Sequence, residues 1–195
     1  AALAIDAFKE VGDERGLAKG WSLLGLVHLM KAQFRSAEVA WEKSAAHAHR
    51  AGDHRDELEN LSWVPFTVWA GPTHAEQGLR RCQEVMKRVE GDKKAMSSAF
   101  MAQALFVAGL GRFDEARQLI TRARSLLQEV ALTVWMAGPL AQSAGWIELL
   151  AGDPAAAERE LREDPVQWAA HVAEREGEHV AVDRRIGNGL AVLLR

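Results

Sequence analysis

Four small residues, Ala37, Gly78, Ala116 and Ala157, return along the chain at steps of 41, 38 and 41 (78 − 37, 116 − 78, 157 − 116). Each is followed four residues later by something bulkier: Trp41, Cys82, Ile120 and Leu161. Apolar residues around them recur at helical spacing, so each stretch reads as a helix that meets another closely at the small residue. A period of this length restricts the fold to an array of like units, each burying its apolar face on its neighbours. A second repeat supports the first: Gly-Asp pairs stand at 12–13, 52–53 and 91–92, spaced by 40 and 39 (52 − 12, 91 − 52). Glycine there supplies a helix C-terminal cap, and aspartate a turn or the next N-cap.

Within this period each unit divides into two helices. In residues 18–52, Trp21, Leu24, Gly25 and His28 fall on a first helix and Ala37, Trp41 and Ser44 on a second, with Ala32-Gln33 as the turn. A leading helix over 1–11 places Ala4, Phe8 and Val11 on one face. The next unit begins near Arg55, and Pro65 inside its first helix predicts a bend or break. Thr73 stands where it would cap the following helix, whose core positions are Gly78, Cys82 and Val85. Residues 93–127 and 132–163 repeat the scheme, the last with Asp153 as cap and Pro154 at the first helical position. After Asp164-Pro165 the pattern fades; residues 166–176 allow one more helix with Trp168, Ala169 and Val172 inward, followed by an irregular tail.

The spacing Trp21-x-x-Leu24-Gly25, with Ala37 twelve residues on and then Trp41, resembles the tetratricopeptide-type helix-turn-helix, and GRFDEARQLITRA at 111–123 is close to the same pattern. The resemblance implies an all-α fold, a right-handed α-solenoid of TPR-like hairpins. About four repeats, longer than the plain 34-residue unit, follow a leading half repeat over 1–164, with a capping helix and tail over 165–195. The strings GLGRFDEARQLITRARSLLQE and AGWIELLAGDPAAAERELRE also resemble the C-terminal repeats of bacterial class III adenylate/guanylate cyclases that carry a STAND-type ATPase. In that family the metal-binding aspartates and nucleotide loops lie upstream of the repeats, and none matches a position here. The implied role is a non-catalytic interaction or regulatory scaffold within a larger bacterial signalling protein. Its alternatives are a segment regulating a cyclase or ATPase, or the effector-binding repeats of a transcriptional regulator.

Chemistry-bearing residues agree with a scaffold. The histidine and carboxylate cluster of His47, His49, Asp53 and His54 does not converge as metal ligands would, since His47 and His49 point to different helix faces. His28 stands at the tyrosine position of the repeat and reads as a core or groove residue, and His171 and His179 form no ligand set. The glycine-rich GDERGLAKG lacks the Gly-Lys-Ser/Thr ending of a phosphate loop. Cys82 takes a buried core position, and as the single cysteine it excludes an internal disulfide and fits a reducing compartment, the cytoplasm. No catalytic residue, cofactor or metal is expected.

The charge balance narrows the partner. With 24 basic and 27 acidic residues the net charge is −3, so no field draws nucleic acid or an anionic membrane. The basic edges Arg80, Arg81, Lys87, Arg88 and Arg112, Arg117, Arg122, Arg124 are balanced by Glu84, Glu90, Asp114 and Glu115. A protein or peptide, or another domain of the same parent chain, is the expected partner. Positions one and five beyond each Trp21 equivalent would line the concave wall: Ser22, Leu26, Trp63, Thr67, Met101, Leu105, Gln142 and Trp146. Packing of these side chains against other helices is the competing reading.

Overall fold

A computed structural model describes residues 2–130 and 133–162. Among them the chain forms helices and no strand: α1 (Ala2–Val11), α2 (Glu14–Met30), α3 (Phe34–Arg50), α4 (His54–Ala70), α5 (Ala75–Arg88), α6 (Lys93–Gly109), α7 (Phe113–Gln128), α8 (Thr133–Leu150) and α9 (Pro154–Arg162). Packing joins consecutive helices, most heavily α2 with α3, α6 with α7 and α8 with α9, and also α4 with α6 and α6 with α8. The helix expected over 166–176 and the tail to 195 lie outside the described residues.

Short turns of one design force these hairpins. At Gly12, Gly52 and Gly152 the glycine has positive φ (68°, 68° and 81°). The aspartate after it donates its backbone N–H to the carbonyl five residues back, as in Asp13 to Phe8, Asp53 to Ala48 and Asp153 to Glu148, at 2.9–3.0 Å. This is a Schellman closure, which satisfies carbonyls the helix would otherwise leave open. The same aspartate side chains then accept from the N–H three residues on, Gly16, Asp56 and Ala156. One dipeptide therefore ends a helix and starts the next. Asp92 likewise accepts from the Ala95 N–H at 2.7 Å.

The turn from α2 to α3 has the same bonds, Ala32 to Leu29 and Gln33 to His28, both 2.9 Å. Here, however, the left-handed residue is Ala32, with φ 54°. A side chain in that region costs about 1–2 kcal/mol, partly offset by the greater freedom glycine has when unfolded. Ala32→Gly should therefore stabilise the chain by about 0.5–1 kcal/mol, read as a higher denaturant midpoint at unchanged slope.

Close approach of the two helices in a hairpin rests on one small residue facing one large one. A Cβ on Gly25 would lie 2.7 Å from the Trp41 indole, and one on Gly145 would lie 2.8 Å from Leu161. These are equivalent positions three units apart (145 − 25 = 120, 161 − 41 = 120). In the third unit the pair is Ala104 and Ile120, both buried, a larger small partner matched by a smaller large one. The second unit departs from this. Phe66 occupies the position of Gly25 (66 − 25 = 41), and α4 meets α5 over a thinner contact than in the other hairpins. Space beside Gly78 on α5 is filled instead by the Phe106 ring of α6.

Four local expectations are corrected. Pro65 does not break α4, which runs unbroken to Ala70; burial of Leu61, Val64 and Val68 offsets the lost backbone bond. Thr73 is not the cap of α5, because the helix begins one residue later and His74 holds the N-cap position without a side-chain bond. On α1 the inward residues are Ile5 and Phe8, packed on Gly20 and Gly16, while Ala4 and Val11 are exposed. Leu161, expected in the core, stays half exposed although it touches Gly145.

Candidate functional site

The first helices of the units, α2, α4, α6 and α8, carry the positions expected to line a wall. Their side chains divide sharply. Leu26 (45% exposed), Trp63 (39%) and Trp146 (49%) reach solvent, Gln142 is exposed and Ser22 is half-buried. Thr67, Met101 and Leu105 are buried, so the expected wall is interrupted at these three. The reason differs between them. Thr67 turns its hydroxyl onto its own helix, donating to the Val64 carbonyl at 2.8 Å. Met101 and Leu105 belong to α6, which is packed by α4, α5, α7 and α8 and is buried at every residue from Met101 to Ala108.

Further exposed apolar residues, outside the expected spacing, stand beside Leu26, Trp63 and Trp146. Beside Leu26 stand Leu23, Val27 and Met30; beside Trp63 stands Phe66; beside Trp146 stand Leu149 and Leu150. Spacings of three and four put each set on one helix face. The signal was present in the letters, as apolar residues outside the positions taken from the repeat. Trp63 has a second role, since its ring stacks on that of buried Trp41 at 5.3 Å and 17°. Phe66 meets Phe34 edge-on at 6.5 Å and Trp69 at 5.9 Å. Both aromatic rings thus roof the α3–α4 junction while keeping one side open.

The titratable groups are spent on links between helices. His47 and Arg50 of α3 both reach Glu14 of α2, at 2.6 and 3.0 Å, and the His47 bond, with Arg50, holds the Glu14 carboxyl below its ordinary range. His49 and His54 share Glu57, at 3.1 and 3.0 Å. The expected cluster thus resolves into two carboxylate-centred sets, and among the described residues no group of three or more histidine, cysteine or carboxylate side chains is placed to hold a metal ion. His28 contacts Gln33 across the turn at 2.7 Å. Burial pushes the Cys82 thiol up to about 12, which removes the thiolate that nucleophilic chemistry needs.

Four arginines of the basic edges, Arg81, Arg88, Arg117 and Arg124, reach carboxylates on other helices. Arg81 of α5 reaches Glu38 (3.1 Å) and Glu42 of α3, and Arg88 reaches Glu42 at 2.8 Å. Arg124 of α7 reaches Glu160 of α9 at 2.8 Å. Arg117 bridges both oxygens of Glu148 at 2.7 and 2.8 Å, and this pairing raises its affinity for its proton. Sequence reading found only the neighbours on the same helix, such as Glu84 and Asp114; the partners some 40 residues away needed the fold.

Neither protein-family models nor curated proteins give a match. No helix among the described residues is long and apolar enough to cross a membrane.

Proposed function

We propose that the chain is a protein-interaction module, a solenoid of stacked hairpins without catalytic chemistry of its own, acting as a regulatory scaffold within a larger signalling protein. The observation that carries this reading is the exposure of apolar and aromatic side chains on the first helices of three units, at Leu26, Trp63 with Phe66, and Trp146 with Leu149 and Leu150. Large exposed apolar side chains gathered on one face mark surfaces that meet other proteins. Stacking is supported by the recurrent small–large pairs and by the arginine bridges between second helices one unit apart, α5 to α3 and α7 to α9. The ligand such a surface suits is an apolar or amphipathic protein segment.

Leu26 and Trp146 test this best, because Trp63 also covers Trp41. In the double variant Leu26→Asp, Trp146→Asp, retention of the partner protein on the immobilised chain should fall at least tenfold. The thermal transition should stay within a few degrees, since both side chains are about half exposed. Unchanged retention, or nucleotide turnover by this chain alone, would count against the reading.

A further inference from the structure

The exposed apolar residues of α2 lie on one stripe whose ends are cationic. Arg15, Lys19, Leu23, Leu26 and Met30 follow one another at spacings of four, four, three and four, which keeps them on one helix face. Val27 stands beside them, and Lys31 follows Met30 at the helix end. Leu23 is 52% exposed, Leu26 45% and Met30 80%; Arg15, Lys19 and Lys31 are exposed as well. Between Lys19 and Lys31 no residue is Lys, Arg, Asp or Glu. The charge around this stripe is lopsided. Each carboxylate from residue 13 to 50 is already engaged: Asp13 accepts from the Gly16 N–H, Glu14 holds His47 and Arg50, Glu38 meets Arg81, and Glu42 meets Arg81 and Arg88. Of the cations in the same stretch, Arg50 has its carboxylate and Lys43 lies over the Trp21 ring at 4.2 Å. Among the described residues no carboxylate pairs with Arg15, Lys19, Lys31 or Arg35.

We propose that this face of α2 seats an amphipathic helix of a partner protein, apolar along its middle and acidic at both ends. The proposal rests on the interaction reading above and gives the partner its chemistry. Apolar side chains at three- and four-residue spacing suit a helix laid along α2, and charge decides its flanks. Lys19 and Lys31 are twelve residues apart (31 − 19), about 18 Å along a helix, so carboxylates bounding about three apolar turns of the partner fall on them. Complementary charges at the rim fix register and steer encounter. An anionic membrane fits the pattern less well. A helix lying on a lipid surface carries its cations along the borders of its apolar face, whereas α2 carries none between Lys19 and Lys31.

Two labelled synthetic peptides test it, alike in their leucines at three- and four-residue spacing and carrying either glutamates or lysines at both ends. In fluorescence anisotropy at low salt the glutamate peptide should bind the 195-residue chain about tenfold more tightly than the lysine peptide, with the gap narrowing as salt is raised. Lys19→Glu with Lys31→Glu should reverse that preference. Met30→Asp should weaken binding of the glutamate peptide about tenfold. It should leave the thermal transition within a few degrees, since the side chain is 80% exposed. Equal binding of the two peptides, or a preference that survives the charge reversal, overturns the proposal. So does retention on phosphatidylserine vesicles that the charge reversal abolishes, which assigns the face to a membrane. The scaffold reading is judged separately: it falls if Leu26→Asp with Trp146→Asp leaves partner retention unchanged, and it stands if that retention drops while the peptides show no preference.

Discussion

Trp41→Ala is expected to lower stability by about 3–5 kcal/mol, the range for truncating a buried tryptophan. Against a total of roughly 5–15 kcal/mol, this leaves the first half of the chain marginal. Trp41 is 2% exposed, and three elements depend on it. Its indole fills the space that Gly25 leaves on α2, its ring carries Trp63 of α4, and it joins Leu61, Val64, Val68 and Cys82 in one buried cluster. A second buried cluster, with Ala104, Ile120 and Leu127, does not include it, so the damage should be graded along the chain. Hydrogen exchange should show α2, α3 and α4 losing protection first, with α6 and α7 retaining theirs. A uniform loss, or a cost below about 1 kcal/mol, would show that the Trp41 cluster and the one formed by Ala104, Ile120, Ala123, Leu127 and Ile147 are not separately supported. Trp41→Phe should recover part of the loss, because an aromatic ring would still stand where the five-membered ring of Trp41 meets Gly25.

Gly78→Leu should be nearly as damaging by the opposite route. A single Cβ at Gly78 already lies 2.1 Å from the Phe106 ring, and Phe106 is itself 5% exposed within the core. Adding side-chain atoms to a filled site costs typically 1–3 kcal/mol and more where the neighbour cannot move. The better helix propensity of leucine returns at most about 1 kcal/mol. The cause is identified by a double-mutant cycle: with Phe106→Ala in place, the added leucine should cost at least about 1.5 kcal/mol less than it does alone. Equal costs in both backgrounds would place the strain somewhere other than the α5–α6 contact.

How far the letters reached can be judged at particular residues. Ala37, Ala116 and Ala157, with Gly78, were readable as close-approach points because a small residue at a fixed period has few other uses, and all four are buried. Gly-Asp was readable as punctuation because left-handed backbone needs glycine and an N-cap wants an acceptor. Ala32, which does the same task as Gly52 without being glycine, was readable only as part of a turn. At Pro65 the letters allowed a bend or a break and the helix is unbroken, because propensity weighs the backbone bond proline removes and not the burial of Leu61, Val64 and Val68 around it. For the candidate wall, a rule of fixed offsets selects residues that are exposed at Leu26, Trp63 and Trp146 and buried at Thr67, Met101 and Leu105. Exposure of a position depends on how many neighbours its helix has, and α6 has four.

The sequence by itself determined the helices, their turns and the small residues at which they meet, because these follow from local rules repeated every 38 to 41 residues. Tertiary structure alone decided which partner each surface found. It gave Gly78 the Phe106 ring of α6, gave Arg81 and Arg124 carboxylates one unit away, stacked Trp63 on Trp41 and left Leu23, Val27 and Met30 uncovered. Periodicity specifies the face a side chain takes on its helix, whereas burial depends on what stands opposite that face, and that is a property of the assembled chain.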